Sequence, residues 1–393
     1  MSRTDAAAPA DSGASVAKLK REHEILLRWL LTDAYPLWAT QGYDEVRGGF
    51  EESLTAAGPS ADQPRRARVQ ARQIYSFARA ASLGWKPQVA HRLVTQGLEY
   101  FLAYYCRSDG LFRTLVAADG RVLDERAYLY DQAFVLLALA ESENLLGPRP
   151  ELVQAALSLR AALYERLKRV GPGFSSGVPE ALPLLSNPHM HLLESALRWI
   201  SVGDDPAWRS LADEIVALAL HRFIDAGTGA LREQFDEHWL PLTGPAGRIV
   251  EPGHQFEWAW LLLRWGGAGE SAAYTAAARL LQIGETHGIR DGVAVNALLD
   301  DLSVHDGEAR LWPQTERLKA AVRMAAMTRD ARYWSMAAQA AEGLRRYLDT
   351  GVPGLWYDRL TTEGRFLQQP APASSFYHIV CAIDELTAGL EQA

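Results

Sequence analysis

Six polar residues recur along this 393-residue chain at nearly constant spacing. Arg72, Asp131, His191, His254, Glu316 and His378 are separated by 59, 60, 63, 62 and 62 residues. Three imidazoles, a guanidinium and two carboxylates suit proton transfer near neutrality. An unperturbed imidazole, with a pKa of about 6.5, both takes and gives a proton there. A fixed guanidinium holds an oxyanion as its charge develops. The combination fits removal of a proton alpha to a carbonyl.

The local contexts add detail. In "EPGHQFEWAW", Glu251, His254 and Glu257 stand at i, i+3 and i+6, behind a Pro-Gly helix start. His254 and Glu257 are one helical turn apart, and a carboxylate beside an imidazole orients it and holds up its pKa. In "NPHMHLLES", His189 and His191 are two apart and point to different helix faces. Only His191 keeps the repeat spacing. Asn187-Pro188 ahead of it reads as an N-cap and first-turn proline. Trp312 and Gln314 precede Glu316 and are expected at the rim of the same site.

Each residue also has a plain structural reading. Arg72 suits a surface ion pair, Asp131 a helix cap, and Glu316 an i,i+3 pair with Lys319. His378, inside the apolar run "SSFYHIV", suits a core histidine. The shared register is what favours a site. Metal binding is a competing use of the histidines, but "HMH" and "HQFE" do not match the HExxH signature. There is no GxxxxGK[ST] or GxGxxG pattern, so no nucleotide site and no cofactor are expected.

Elements must position these residues, and the sequence repeats at that scale. Glycine-led segments begin at Gly48, Gly110, Gly173, Gly229, Gly292 and Gly354, as in "GGFEESL" and "GLWYDRL". Each reads as a turn followed by a short extended piece. Between them lie twelve stretches with apolar residues at helical spacing. Six helical hairpins predict an all-α (α/α)6 toroid, with an open solenoid as the alternative. No linker divides the chain. Residues 1–14, small and polar, are expected to be a disordered tail, and 15–393 a single domain.

Composition bounds the partners. The formal net charge is −8, which argues against general nucleic-acid affinity. There is no basic run for docking on a membrane and no apolar stretch long enough to span one. Two isolated cysteines and no signal-peptide pattern predict a cytoplasmic protein. A small-molecule substrate is expected, and oligomeric state is open.

At these residues the chain resembles the N-acylglucosamine 2-epimerase superfamily. The matching pieces are "QARQIY", "YLYDQAFVLLAL", "NPHMHLLESAL", "EPGHQFEWAWLL", "LWPQTERLKA" and "SSFYHIV", in the family's order. They are most similar to the bacterial mannose isomerase branch. The resemblance implies metal-independent chemistry through a cis-enediol(ate). It makes His378 the base that moves a proton between C1 and C2, and His254 the second acid/base. It gives His191 and Asn187 a role in ring opening and substrate holding, Arg72 the enediolate, and Glu257 the support of His254. Trp312 and Glu316 match sugar-binding positions, with Asp131, Glu251 and Arg248 as further candidates. The expected reaction interconverts D-mannose and D-fructose. The alternatives are a sugar 2-epimerase, a mannose 6-phosphate-type isomerase and, from another class, a glycoside hydrolase on the same toroid. The hydrolase needs two carboxylates across a glycosidic bond, with Asp131 and Glu257 or Glu316 as candidates.

Overall fold

The computed structural model describes residues 12–60, 62–180, 182–267 and 271–393. Twelve helices stand among the described residues. Helix α1 (Ser12–Trp29) continues through a wide turn (Leu30–Ala34) into Tyr35–Thr40. Then follow α2 (Ala67–Ala80), α3 (Pro87–Tyr105), α4 (Leu129–Leu146), α5 (Pro150–Arg166) and α6 (Ser186–Val202). The second half comprises α7 (Ala207–Leu218), α8 (Pro252–Gly266), α9 (Ala272–His287), α10 (Trp312–Thr328), α11 (Ala331–Leu348) and α12 (Ser374–Glu391). Helix α1 starts three residues inside the expected tail, because Val16 and Leu19 already pack on the core. The rest of that tail lies outside the described residues.

Two kinds of helix alternate. In α3 the buried residues Ala90, Leu93, Val94, Gly97, Leu98 and Phe101 form one stripe. In α2 every residue from Val69 to Ala78 is buried. A helix buried on all sides belongs inside. Helices α2, α4, α6, α8, α10 and α12 accordingly touch in that order, and α12 returns to α2. The others pack outside them, with α1 against α11 and α12. Short antiparallel strands stitch neighbouring repeats where the chain enters an inner helix. Arg65–Arg66 pairs with Leu115–Val116, and Ala127–Tyr128 with Gly177–Val178. Ser53–Thr55 pairs with Ala371–Pro372 and joins the first repeat to the last. The open solenoid is therefore excluded by closure at both the helical and the strand level.

The lead glycines mark tight turns. Gly49, Gly110, Gly173, Gly229, Gly292 and Gly354 all have φ between 77° and 84°, the left-handed region that favours glycine. Just after each of the first five, an inner-helix side chain grips the loop backbone. Gln70 bonds both N–H and C=O of Phe50, each at 2.7 Å. Gln132 does the same to Phe112, Gln255 to Leu231, and Gln314 to Ala294. In α6 the gripping residue is His189, whose Nε2 accepts from the Phe174 N–H at 3.0 Å. In α12 the same place, 62 residues after Gln314, is taken by Phe376.

These grips give the true register of the repeats. Two residues beyond them stand Arg72, Phe134, His191, Glu257, Glu316 and His378. Asp131 and His254 instead stand one residue before. The spacing of the six polar residues thus mixes two phases. Asp131 is buried but turned aside, with Oδ1 3.3 Å from Arg68.

Candidate active site

The first turns of the inner helices converge on a cavity of about 170 Å3. Its walls are Arg72, Tyr130, Asn187, His191, Glu251, His254, Glu257, Arg310, Trp312 and His378. Six helix N-termini point the same way, and their partial positive charge favours an anion there. The space is below the ~300–1,000 Å3 of drug-sized pockets, as suits one small polar molecule.

Each of the three candidate histidines is held by a buried carboxylate. His378 Nδ1 lies 2.8 Å from Glu316 Oε1, and His254 Nδ1 lies 2.8 Å from Glu233 Oε2. His191 Nδ1 lies 3.1 Å from Glu194 Oε2. With Nδ1 engaged, Nε2 is the nitrogen left for the cavity in each ring. The Trp312 ring stands between His254 and His378, its centre 5.0 and 5.8 Å from theirs. The Arg72 guanidinium stacks 4.1 Å above the Phe134 ring centre and donates from Nη2 to the Tyr130 hydroxyl at 2.7 Å.

The three imidazoles do not all carry the same charge at neutral pH. Burial pulls His254 down, but the Glu233 and Glu251 carboxylates outweigh it and push the ring up to about 10. Burial lowers His378 well below its ordinary value, and the Arg72 and Lys319 charges add to that. Burial takes His191 down to about 4, against its bond to Glu194. The cavity therefore holds an imidazolium, His254, and a neutral imidazole, His378. Beneath them, Lys319 is fully buried with Nζ 2.5 Å from Glu316 Oε2 and 3.8 Å from the Trp260 ring centre. Burial raises the Glu316 carboxyl, and Lys319 works against it. Burial and the neighbouring Glu316 raise Glu257 well above the carboxylate range.

Several expected roles change. Glu257 is not the carboxylate bonded to His254: it lies on the cavity floor, 3.9 Å from both His191 Nδ1 and Lys319 Nζ, because its phase is that of Glu316, and it adds only a lesser share to the charge that raises the His254 ring. Glu233 takes that role. Glu316 does not line the cavity but sits under His378 and orients it. Arg248 ends a turn (Pro245–Arg248) and pairs outward with Asp300 at 2.7 Å and Asp301 at 3.1 Å. Asn187 lies inside the first turn of α6 rather than capping it; its Oδ1 is buried with no hydrogen-bond partner. The Glu257 Oε1 is likewise unpartnered, so both are free to bond a ligand. Glu233, Glu194, Tyr130 and Arg310 were not expected from sequence. Glu233 had a signal: it stands two residues beyond the gripped Leu231, where the other repeats place Glu52, Thr114, Ser176 and Asn296. The carboxylate pairs expected for a hydrolase are not formed in the cavity, since Asp131, common to both, stands outside its wall.

Three groups bring ligand atoms close enough for a cation: His191 with Glu194 and Glu257, Glu233 with Glu251 and His254, and Glu257 with Glu316 and His378. The third already has an ammonium, Lys319, against Glu316. In the first, Glu194 is shared by His191 and the Tyr377 hydroxyl. In the second, His254 is itself cationic. In the second and third groups the donors thus face protonated nitrogen, whereas the first keeps a neutral imidazole and the Glu257 Oε1 that has no hydrogen bond.

Comparison with known proteins agrees with this geometry. The family described as N-acylglucosamine 2-epimerase (GlcNAc 2-epimerase) matches residues 48–382. A protein of Rhizobium meliloti named mannose-6-phosphate isomerase is 48% identical over 92% of this chain and 95% of its own. A D-mannose isomerase of Thermobifida fusca is 28% identical over 64% of this chain and 66% of its own. Among solved structures, cellobiose 2-epimerase from Spirochaeta thermophila superposes with a TM-score of 0.85, at 22% identity, covering 95% of this chain and 98% of that one. No helix among the described residues is long and apolar enough to cross a membrane.

Proposed function

We propose, because this chain belongs to the N-acylglucosamine 2-epimerase family, that its reaction is the aldose–ketose isomerisation of a mannose-configured hexose, mannose to fructose. The chain is a sugar isomerase or epimerase. The observation that carries the finer reading is the pair of differently protonated histidines on one cavity, neutral His378 and cationic His254.

In this reading His254 donates a proton to the ring oxygen as the pyranose opens, and neutral His191 takes the O1 proton while Asn187 holds the sugar. His378 Nε2 removes the C2 proton of the open-chain aldose. The charge that develops on O1 and O2 faces Arg72 and the inner-helix N-termini. His378 returns the proton to C1 while the O2 hydroxyl proton passes to O1 through His254, neutral since ring opening, and a ketose is left. Glu316 fixes the ring so that Nε2 is the basic nitrogen, and Lys319 compensates the buried carboxylate. Return of a proton to C2 from the opposite face, by His254, would give the 2-epimer. The names of the D-mannose isomerase and mannose-6-phosphate isomerase relatives support the isomerase outcome. The first of these proteins, at 48% identity, also supports a second reading in which the hexose carries a 6-phosphate.

Incubation with mannose and with mannose 6-phosphate in D2O, with and without EDTA, tests the proposal. The expected product is the matching ketose with deuterium at C1, formed at the same rate in EDTA. Deuterium at C2 of a glucose product would make the enzyme an epimerase. Loss of activity in EDTA would overturn the metal-independent route.

A further inference from the structure

At the mouth of the cavity, strand Ala309–Arg310 pairs antiparallel with strand Arg359–Leu360, and Arg310 stands directly opposite Arg359. Directly opposed residues put their side chains on one face, with Cβ atoms about 5 Å apart. Ala309 and Leu360 fill the buried face, at 2% and 4% exposure, so both arginines project from the other. Arg310 lines the cavity, and its guanidinium lies 5.9 Å from the Trp312 ring centre.

Like charges placed directly opposite each other destabilise a strand pair. Many exposed arginines of this chain are neutralised by a carboxylate: Arg126 by Asp124, Arg248 by Asp300 and Arg332 by Asp330. Neither Arg310 nor Arg359 makes an ion pair or a side-chain hydrogen bond with any described residue. Glu251, the rim carboxylate of the cavity, lies 3.7 Å from His254 Nδ1; it feels the Arg310 charge but is not in contact with it. Two guanidinium groups with no carboxylate in contact thus share one face beside the tryptophan that covers the catalytic histidines.

We propose that Arg310 and Arg359 form the subsite for a phosphate monoester carried at the end of the hexose remote from C1 and C2, making the substrate an aldohexose 6-phosphate. This deepens, and rests on, the aldose–ketose reading above. A phosphate dianion turns the repulsion between the two arginines into two attractions, and each guanidinium fork matches its oxygens in bidentate fashion. With C1 and C2 between His254 and His378, the chain of the sugar passes Trp312 and ends at the rim. There the phosphate keeps part of its hydration, which limits the desolvation it must undergo.

The test is the ratio of kcat/KM for mannose 6-phosphate to that for mannose, in the native protein and in Arg310→Gln, Arg359→Gln and Arg359→Lys. The native ratio is expected well above one. Each glutamine variant lowers it by about tenfold or more, the loss of one charge-assisted contact, chiefly through a higher KM for the phosphorylated sugar. Arg359→Lys restores part of the ratio, which a merely structural role would not. A native ratio of one or below, or a ratio unchanged in both glutamine variants, overturns the proposal. Failure of the native protein to turn over either sugar would instead overturn the isomerase reading beneath it.

Discussion

Replacing Glu233 with glutamine removes the charge that keeps His254 protonated and leaves the shape of the site in place. The amide oxygen still accepts from Nδ1, 2.8 Å away in the native protein. Two unit charges about 4 Å apart at an effective dielectric near 20 interact by about 4 kcal/mol. At 1.36 kcal/mol per unit this is worth about three pH units. Glu251 remains, 3.7 Å from the same nitrogen, and retains part of the effect. The His254 pKa, about 10 in the native site, should therefore fall by about two units. An acid is useful below its pKa, so the alkaline limb of kcat/KM moves down from about 10 towards about 8. The acid limb belongs to His378, which must be neutral; it lies below 6.5 and should not move. Profiles of kcat/KM from pH 5 to 10.5, with an NMR titration of the His254 ring, make the comparison. An alkaline limb that stays in place while kcat drops uniformly would refute the assignment of His254 as the acid and Glu233 as its support.

Two other perturbations probe the floor and wall of the cavity. A Cβ on Gly253 would lie 2.3 Å from the Trp312 ring, so Gly253→Ala must displace that ring between the two histidines. A shift of about 1 Å costs about a hundredfold in rate, and steady-state kinetics with a Trp312 fluorescence change should register a loss of about 10–100-fold in kcat/KM. Lys319→Met strands the buried Glu316 carboxylate and should destabilise the protein by about 3–5 kcal/mol in urea unfolding, and the double variant with Glu316→Leu should recover much of that while remaining inactive.

The ring of hairpins was legible because two strong signals coincide in every repeat. A left-handed turn demands glycine, as at Gly110 and Gly229, and helices buried on one stripe or on all sides show it in their apolar spacing. The site was legible in outline for the same reason: residues sharing a phase, such as Arg72, His191 and His378, point to the same place. Spacing alone could not resolve that phase. The loops between a gripped residue and its grip vary, with 20 residues from Phe50 to Gln70, 15 from Phe174 to His189 and 24 from Leu231 to Gln255. A stretch of about sixty residues thus accommodates a slip of a helical turn, enough to bring Asp131 into the set and to pair His254 with Glu257. Glu233 was hidden because its partner lies 21 residues away across a loop, where no helical periodicity applies.

The closure of the ring also bears on how the enzyme becomes active. Arg72 Nη1 reaches the Ser374 carbonyl, Gln73 the Ala373 carbonyl and Arg79 the Asp384 carboxylate, partners about 300 residues apart in the chain. Contacts of such separation carry a large loop-closure cost and form late. The arginine meant for the enediolate and the histidine meant for the proton therefore meet only when the first and last hairpins dock. A folding intermediate with five hairpins packed would bury most of its apolar surface and still be inert. Recovery of activity on refolding should accordingly lag behind recovery of helix, and the lag would time the last docking step.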